Sequence, residues 1–284
     1  MRASRATLVK DLLFRLAMLS CLALALGLLA LLLVDVAIDG AGSVSLDFFN
    51  SFGSISAEQS GIQAALWGTV WLMGVAAFFI VPVGVATAIY LEEYADGTRW
   101  WNRLIEVNIQ NLAAVPSVVY GILGLAFIVR GPLDLGRVVL AGGITLALLV
   151  LPVVIIVSRE AIRAVPSSIR EGALALGATK WQTIWKMVLP GSIAGIATGV
   201  ILALSRAIGE TAPLILVGAI AFRLTDPTID GQFSALPIAI FQAAGEPRPE
   251  FQILAAGAIV VLLVVLLLMN AVAIYLRNRY EQKW

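Results

Sequence analysis

Long apolar blocks separated by short polar segments dominate the pattern of this chain. An α-helix needs about 20 apolar residues to cross the roughly 30 Å hydrocarbon core of a bilayer, and the blocks reach or exceed that length. Six spans are predicted, over residues 12–34, 63–91, 104–129, 138–157, 191–222 and 253–276. We therefore expect an all-α membrane protein with six transmembrane helices.

The fifth span is irregular. At about 1.5 Å per residue, residues 191–222 are too long for one straight crossing, so the helix either begins below the membrane surface or breaks at Pro213. The polar segment that follows, 223–252, has an apolar middle at 235–244, which predicts a short interfacial or re-entrant helix.

The third span carries three amide side chains in one turn near its start, Asn108, Gln110 and Asn111. Polar amides inside a bilayer usually hydrogen-bond to a neighbouring helix. Helix packing is therefore the favoured role for these side chains, and contact with a transported solute is the alternative.

The first apolar block follows Arg2, Arg5 and Lys10, as the core of a signal peptide would. A signal-peptide core has about 7 to 15 residues and ends at a small-residue cleavage site. This block is longer, and Asp35 to Asp39 is a poor cleavage site, so we expect an uncleaved helix. The predicted division is a first helix and outer loop over 1–62, a transmembrane core over 63–276 containing the cytoplasmic loop 158–190, and a tail over 277–284.

Charge predicts the orientation. The N-terminal segment as far as Arg15, the second loop, the 158–190 loop and the C-terminal tail hold fourteen of the nineteen Lys and Arg residues. The three opposite loops hold only Arg130, Arg137, Arg223 and Arg248. Because cytoplasmic loops carry the excess of basic residues, both termini and the 158–190 loop are predicted to be cytoplasmic.

Composition narrows the function. The chain is 60% hydrophobic, its net charge is only +1, and it has no histidine, so nucleic-acid binding is not indicated and histidine-based catalysis or metal ligation is excluded. Cys21 is the only cysteine and cannot form an internal disulfide. The sequence contains no Gly-rich loop ending in Lys-Ser/Thr that would bind ATP, and we expect no metal or cofactor in this chain.

The stretch 166–190 lies in the loop 158–190 and carries its own helix signals. Ser168 with Glu171, and Thr179 with Gln182, have the spacing of capping boxes, and Gly177 between them is a natural helix stop. Apolar residues follow at helical spacing: Trp181, Ile184, Trp185 and Val188. The pattern predicts two short amphipathic helices joined at a glycine elbow.

The spacing of this stretch resembles the EAA loop of bacterial ABC importer permeases. The residues that match are Glu171, Ala173, Gly177, Leu189 and Pro190, while Gly172 replaces an Ala of the family pattern and Met187 an Ile. In that family the loop docks in a cleft of a cytoplasmic ATPase. The resemblance therefore implies that Glu171, Gly172, Ala173, Gly177, Leu189 and Pro190 couple this chain to an ATPase.

Two charges lie within the fifth span, in the sequence LSRAIGETAPLI. Arg206 and Glu210 are four residues apart, hence on one helix face and able to pair. Charge inside a bilayer is expensive and normally faces the bundle interior or an aqueous path. The pair is therefore interpreted as part of an anion path, in which Arg206 attracts the anion and Glu210 holds Arg206 when the path is empty. A buried ion pair that only fixes helix packing is the alternative.

The third span and the Arg206 helix are also similar to those of phosphate-specific ABC importers, and the chain resembles their A-type permease subunits from about Gln63 onward. The resemblance implies a type I importer architecture in a bacterial inner membrane and transport of inorganic phosphate by alternating access. It also implies a companion permease, a dimeric ATPase that holds the ATP and Mg²⁺, and a periplasmic or surface phosphate-binding protein.

Other functions remain open at this point. A permease for sulfate or molybdate would share the ATPase-coupling loop, and a passive anion channel would explain Arg206 but not the capped helices. A membrane-embedded enzyme would need catalysts such as Glu92, Glu93, Asp96 or Ser158, which are placed in loops without a base partner. We expect the charges at Glu92 and Glu93 to form a solvated face.

Overall fold

A computed structural model describes residues 5–54, 56–220 and 225–280. Within those ranges the chain is helical and contains no strand. The helices are α1 (Arg5–Ala41), α2 (Leu46–Asn50), α3 (Gln63–Ile89), α4 (Trp100–Ala113), α5 (Ser117–Leu123), α6 (Val139–Arg163), α7 (Ser167–Ala175), α8 (Lys180–Thr183), α9 (Leu189–Ile208), α10 (Ala212–Val217), α11 (Leu236–Gly245) and α12 (Pro249–Tyr280). Of the predicted charges, Arg2, Arg223 and Lys283 lie outside the described residues.

Helix α6 is the centre of the bundle, because it packs against α3, α4 and α9 and is mostly buried. Glycines allow these close approaches. A Cβ at Gly84 of α3 would lie 2.7 Å from Val154 Cγ1, and one at Gly199 of α9 would overlap Val157. The packing therefore places the C-terminal ends of α3 and α6 side by side, next to α4.

Five helical stretches are long and apolar enough to cross a membrane: Lys10–Ala41, Gln63–Tyr94, Val139–Arg163, Lys180–Ile208 and Pro249–Arg279. The second of these is α3 continued by a π-helical turn, Tyr90–Tyr94. The predicted third span is not one straight helix. Helices α4 and α5 meet at 107°, and a π-helical turn, Gly124–Val129, extends α5. Pro116 explains the break, because proline disfavours a helical conformation in the residue before it.

The predicted fifth span is corrected in two ways. One continuous helical stretch runs from Lys180 through a π-helical turn, Ile184–Val188, to Ile208, so it begins inside the 166–190 stretch. It breaks at Gly209 to Thr211 and not at Pro213. Pro213 lies in the first turn of α10, where a missing N–H leaves no helical hydrogen bond unmade.

The end of the molecule that carries α2 and α11 has its own core. Phe48, Ile62, Leu236 and Phe251 are buried together where the loop after α1 folds over α11 and the start of α12. Helix α11 confirms the predicted short apolar helix. Helix α1 packs on α12, where Gly40 meets the backbone of Ala256 and Gly257.

Candidate functional site

The first helix of the 166–190 stretch is α7, but its predicted cap is wrong. Helix α7 begins at Ser167 with Pro166 in the N-cap position and no side-chain cap hydrogen bond, so Ser168 and Glu171 do not form a capping box. Pro166 has an extended ψ of 138°, which takes the chain directly into the helix. The predicted stop is present, because Gly177 has a φ of +83° and follows Leu176 at the end of α7.

The second capping box is confirmed. The backbone N–H of Gln182 donates to Thr179 Oγ1 at 3.2 Å, and the backbone N–H of Thr179 donates to Gln182 Oε1 at 2.9 Å. The helix that begins here is not a separate short one, however, because it continues to Ile208. The 166–190 stretch is therefore one short helix, a glycine elbow and the start of a long helix.

The residues of the EAA-like pattern divide into two groups. Glu171, Gly172 and Gly177 are exposed, and Ala173 is half-buried. Leu189 and Pro190 are half-buried, and Leu189 packs against the core of the bundle. Only the first group is free to meet another protein, while the Leu-Pro pair lies within the long helix.

Apolar side chains are exposed around the same elbow. Leu176 is 91% exposed, and Leu174, Trp181 and Trp185 are also exposed. The rings of Trp181 and Trp185 are 5.2 Å apart. A short helix with a carboxylate and apolar neighbours around it suits insertion into a groove of a partner protein.

Arg170 of α7 was not identified from the sequence, and it anchors the helix. Its Nε donates to Glu93 Oε1 at 2.9 Å, its Nη1 to the Val165 carbonyl at 2.6 Å, and its Nη2 to the Ile162 carbonyl at 2.8 Å. The last carbonyls of a helix have no partner within the helix, and here an arginine from the next helix supplies one.

Glu92 is held by two further arginines. Arg163 Nε and Nη2 each lie 2.9 Å from its carboxylate oxygens, and Arg159 Nη2 lies 3.5 Å from it. Arg159 also bonds Glu106 of α4 at 2.8 Å. The side chains of Glu92 and Glu93 are 16% and 9% exposed, so the expectation of a solvated face is wrong. The signal in the sequence was the i, i+4 spacing of Arg159 and Arg163, which puts both cations on one face of α6.

Asp96 starts the loop between the Tyr90–Tyr94 turn and α4. The hydroxyl and the backbone N–H of Thr98 both donate to Asp96 Oδ1, at 2.7 and 3.0 Å. These hydrogen bonds lower the pKa of Asp96 below its ordinary value, because they favour the charged carboxylate. Asp96 is therefore a structural residue of this turn. The prediction that Ser158 lies in a loop is wrong, because Ser158 is buried within α6.

Arg206 and Glu210 lie together at the end of α9. Arg206 Nε is 3.5 Å from Glu210 Oε1, and the two side chains are 51% and 17% exposed. Their neighbour Ser205 donates to Asn270 Oδ1 of α12 at 2.8 Å. The pair spans the point where the helix breaks, since α9 ends at Ile208 and α10 begins at Ala212.

An open cleft of about 980 Å³ adjoins this break and was not predicted. Gly209 and Thr211, on either side of Glu210 in the chain, line it together with residues of α11 and α12. Most of its lining is apolar, and Thr211, Gln242 and Glu246 supply polar side chains. The two chain neighbours of Glu210 thus line a cavity large enough for a small solute, while Arg206 and Glu210 themselves are not among its lining residues.

The amides of α4 do not make the predicted interhelical bonds. Asn108 Nδ2 donates to the Leu104 carbonyl of its own helix at 2.8 Å, and Gln110 and Asn111 are exposed. Within the described residues these three side chains touch no other helix through hydrogen bonds. In the same residues, no group of three or more Cys, Asp or Glu side chains could hold a metal ion.

Sequence comparison gives a consistent result. Residues 80–283 match the family model of the binding-protein-dependent transport system inner membrane component. The phosphate transport system permease protein PstA 1 of Mycobacterium tuberculosis strain H37Rv is 34% identical over 217 residues, which are 76% of this chain and 70% of that protein. The phosphate transport system permease protein PstA of Haemophilus influenzae is 32% identical over 230 residues, 81% and 80% of the two chains. The probable ABC transporter permease protein YqgI of Bacillus subtilis is 29% identical over 276 residues, 93% of each chain.

Solved structures show the same fold at low sequence identity. A chain of a bacterial alginate ABC transporter aligns with a TM-score of 0.68 at 18% identity, covering 96% of this chain and 97% of that one. A chain of the MetNI methionine ABC transporter aligns with a TM-score of 0.65 at 15% identity, covering 78% and 96%. The architecture is that of type I ABC importer permeases.

Proposed function

The chain belongs to the family of binding-protein-dependent transport system inner membrane components, and on this premise we propose that it is the membrane-spanning subunit of an ATP-driven importer of inorganic phosphate. The observation that carries the proposal is its similarity, over three quarters or more of its length, to phosphate transport permeases of several bacteria. The same similarity does not favour sulfate or molybdate as the solute.

The Arg206–Glu210 pair supports an anionic solute. A guanidinium offers a planar set of donors that matches a phosphate oxyanion. Arg206 is half exposed and bonded to a single carboxylate at 3.5 Å, so an anion can replace that carboxylate without first removing a buried network. Glu210 then recovers Arg206 once the anion leaves, which keeps binding weak enough for release.

The solute-binding cleft and the ATPase contact lie at opposite ends of one helical stretch, Lys180–Ile208. We place the ATPase on the exposed group Glu171, Gly172, Ala173 and Gly177. ATP and Mg²⁺ belong to that ATPase, and this chain contributes the path and the mechanical link. Closure of an ATPase dimer would displace α7, and the long helix would carry the displacement to Arg206. This is the alternating-access scheme that the fold supports.

The assembly follows from the family. A permease of this kind works with a companion permease, a dimeric ATPase and a phosphate-binding protein on the outer side. The chain is a multi-pass membrane protein, and we assign it to the bacterial inner membrane. If the bent α4–α5 pair counts as one span, the chain crosses six times and both termini lie on one side. The basic residues around α7 support a cytoplasmic location for that side.

The proposal is tested by uptake of labelled phosphate in phosphate-starved cells with and without the gene, with sulfate and molybdate in parallel. We expect selective loss of high-affinity phosphate uptake in the deletion strain. Loss of sulfate or molybdate uptake alone would show that the solute is not phosphate, while the assignment as an ATP-driven importer would stand. A passive channel would give uptake that persists after ATP depletion and no ATPase on gentle extraction.

A further inference from the structure

The turn Tyr90–Tyr94 at the end of α3 is joined to four other helices by side chains. Glu92 pairs with Arg159 and Arg163 of α6, Glu93 with Arg170 of α7, and the ring of Tyr94 lies 5.0 Å from Lys180 Nζ of α8. The hydroxyl of Tyr90 lies 3.4 Å from Asn102 Oδ1 of α4. Helix α3 is far from α7 in the chain, so these contacts are its direct links to the 166–190 stretch.

We propose that the Tyr90–Tyr94 turn is a mechanical relay, through which Arg170 and Lys180 pass the movement of the ATPase-contacting elbow to α3. This inference rests on the proposed function, because it requires an ATPase that moves α7. Arg170 is a positioning residue here and touches no solute.

The geometry favours a stiff connection. One guanidinium bonds a carboxylate that is 9% exposed and two backbone carbonyls at the end of α6, so it cannot move without breaking three charge-assisted hydrogen bonds. The side chain of Arg170 is itself only 22% exposed, so water screens the pair weakly. The ends of α3, α6 and α7 are thereby fixed as one unit.

The position of the relay decides which helices respond. Helices α6 and α8 are joined to α7 through the chain itself, whereas α3 is joined to α7 and α8 by the side-chain contacts of the turn. Helix α3 packs along α6 and also touches α9, the helix that carries Arg206. A relay at its end would therefore make α3 move together with α6 and α9, so that these three helices move as one rigid body.

The test uses the complete complex with its ATPase, reconstituted in liposomes, and compares Arg170→Ala, Arg170→Lys and Glu93→Gln. We expect each complex to assemble and to hydrolyse ATP. Networks of this kind typically change coupling between sites by 0.5–2 kcal/mol, so the phosphate moved per ATP is expected to fall by about 2- to 30-fold in Arg170→Ala and less in Arg170→Lys. Arg103→Ala is the matched control, because Arg103 is an exposed cation on the neighbouring α4.

Three results would overturn the relay. The first is an unchanged ratio of phosphate to ATP in Arg170→Ala. The second is a loss in the Arg103→Ala control as large as that in Arg170→Ala. The third is a double variant Arg170→Ala/Glu93→Gln whose loss equals the product of the losses in the Arg170→Ala and Glu93→Gln single variants, because residues that act as one unit give a double loss close to a single one.

A second measurement is independent of the solute. Spin labels on Cys introduced at Ala175 and Gly97, in a Cys21→Ser background, report the distance between α7 and the loop after the turn. Both sites are exposed, and a Cβ at Gly97 meets no atom within 4 Å. The relay predicts one narrow distance that ATP leaves unchanged in the parent complex, and a distance that broadens or shifts with ATP in Arg170→Ala.

The two proposals can fail separately. If the parent complex hydrolyses ATP but moves a different solute, phosphate is wrong and the label distances still decide the relay. If phosphate is transported and the label distances are the same in Arg170→Ala, the relay is wrong and the function stands. If no ATPase assembles with this chain, both are wrong.

Discussion

Arg206 Nε lies 3.5 Å from Glu210 Oε1, across the break that ends helix α9. The arginine is the more exposed partner, and the carboxylate is largely buried, between two chain neighbours that line a cleft. This difference in exposure would let an anion replace the Glu210 carboxylate as the partner of Arg206, because the half-exposed cation is accessible to the anion while the buried acid stays in place.

Arg206→Gln removes the cation and keeps a polar side chain of similar length. We expect phosphate uptake to fall at least about a hundredfold, since a guanidinium–phosphate bond is among the strongest polar contacts available. Copurification with the ATPase should not change, because the residue is at the far end of the helix from the elbow. Uptake of labelled phosphate measures the transport activity, and a pull-down measures copurification with the ATPase. Arg130→Gln in an outer loop is the control, and normal uptake by Arg206→Gln would reduce the pair to a packing role.

Glu210→Gln removes the group that recovers Arg206 after the anion leaves. The unpaired guanidinium should hold the anion longer, so we expect a lower maximal uptake rate with a KM that is unchanged or lower. Initial-rate kinetics over a range of phosphate concentrations separates the two constants. A raised KM at unchanged maximal rate would mean that Glu210 helps the anion bind and does not release it.

Glu171→Lys reverses the charge of an exposed residue in the proposed ATPase contact. We expect weaker assembly, seen as loss of the ATPase during purification at moderate salt, together with reduced uptake. The matched control is Asp11→Lys, which makes the same charge change at an exposed position on α1. Unchanged recovery of the ATPase with Glu171→Lys would remove this residue from the contact.

Gly172 and Gly177 give opposite predictions for the same substitution. Alanine is favoured over glycine by roughly 0.8–1 kcal/mol inside a helix, and a Cβ at Gly172 meets no atom within 4 Å, so Gly172→Ala should stabilise α7. Gly177 has a φ of +83°, where alanine is strained, so Gly177→Ala should destabilise the elbow by about 1 kcal/mol. Hydrogen exchange of the α7 amides measures both. A loss of protection in Gly172→Ala would show that α7 is not a helix in the assembled complex.

Much of the fold could be predicted because bilayer-length apolar blocks are local signals. The second capping box and the glycine stop were equally local, and both are present in the structure. The Ser168–Glu171 box failed because Pro166 takes the N-cap position, so the helix begins two residues earlier than the pattern indicates. The break after Ile208 was displaced from Pro213 because a proline in the first turn of a helix is tolerated.

The parts that could not be predicted depend on contacts between distant residues. Arg170 meets Glu93 across 77 positions of the chain, and Arg163 meets Glu92 across 71. Neither pair has a periodicity that a single sequence reveals. The cleft beside Glu210 is likewise formed by three segments that approach one another only after folding.

The continuous helical stretch Lys180–Ile208 has a geometric consequence. Its 29 residues make a rod of about 43 Å, with the ATPase-facing elbow at one end and the anion pair at the other. A tilt of about 5° at the cytoplasmic end would displace the Arg206 end by about 4 Å, which is more than the distance that now separates Arg206 from Glu210. If the elbow contacts the ATPase and Arg206 binds the anion, as proposed, the angle of the rod at one end controls the position of the cation some forty ångströms away, and a substitution that bends the rod along its length would change the affinity for the anion.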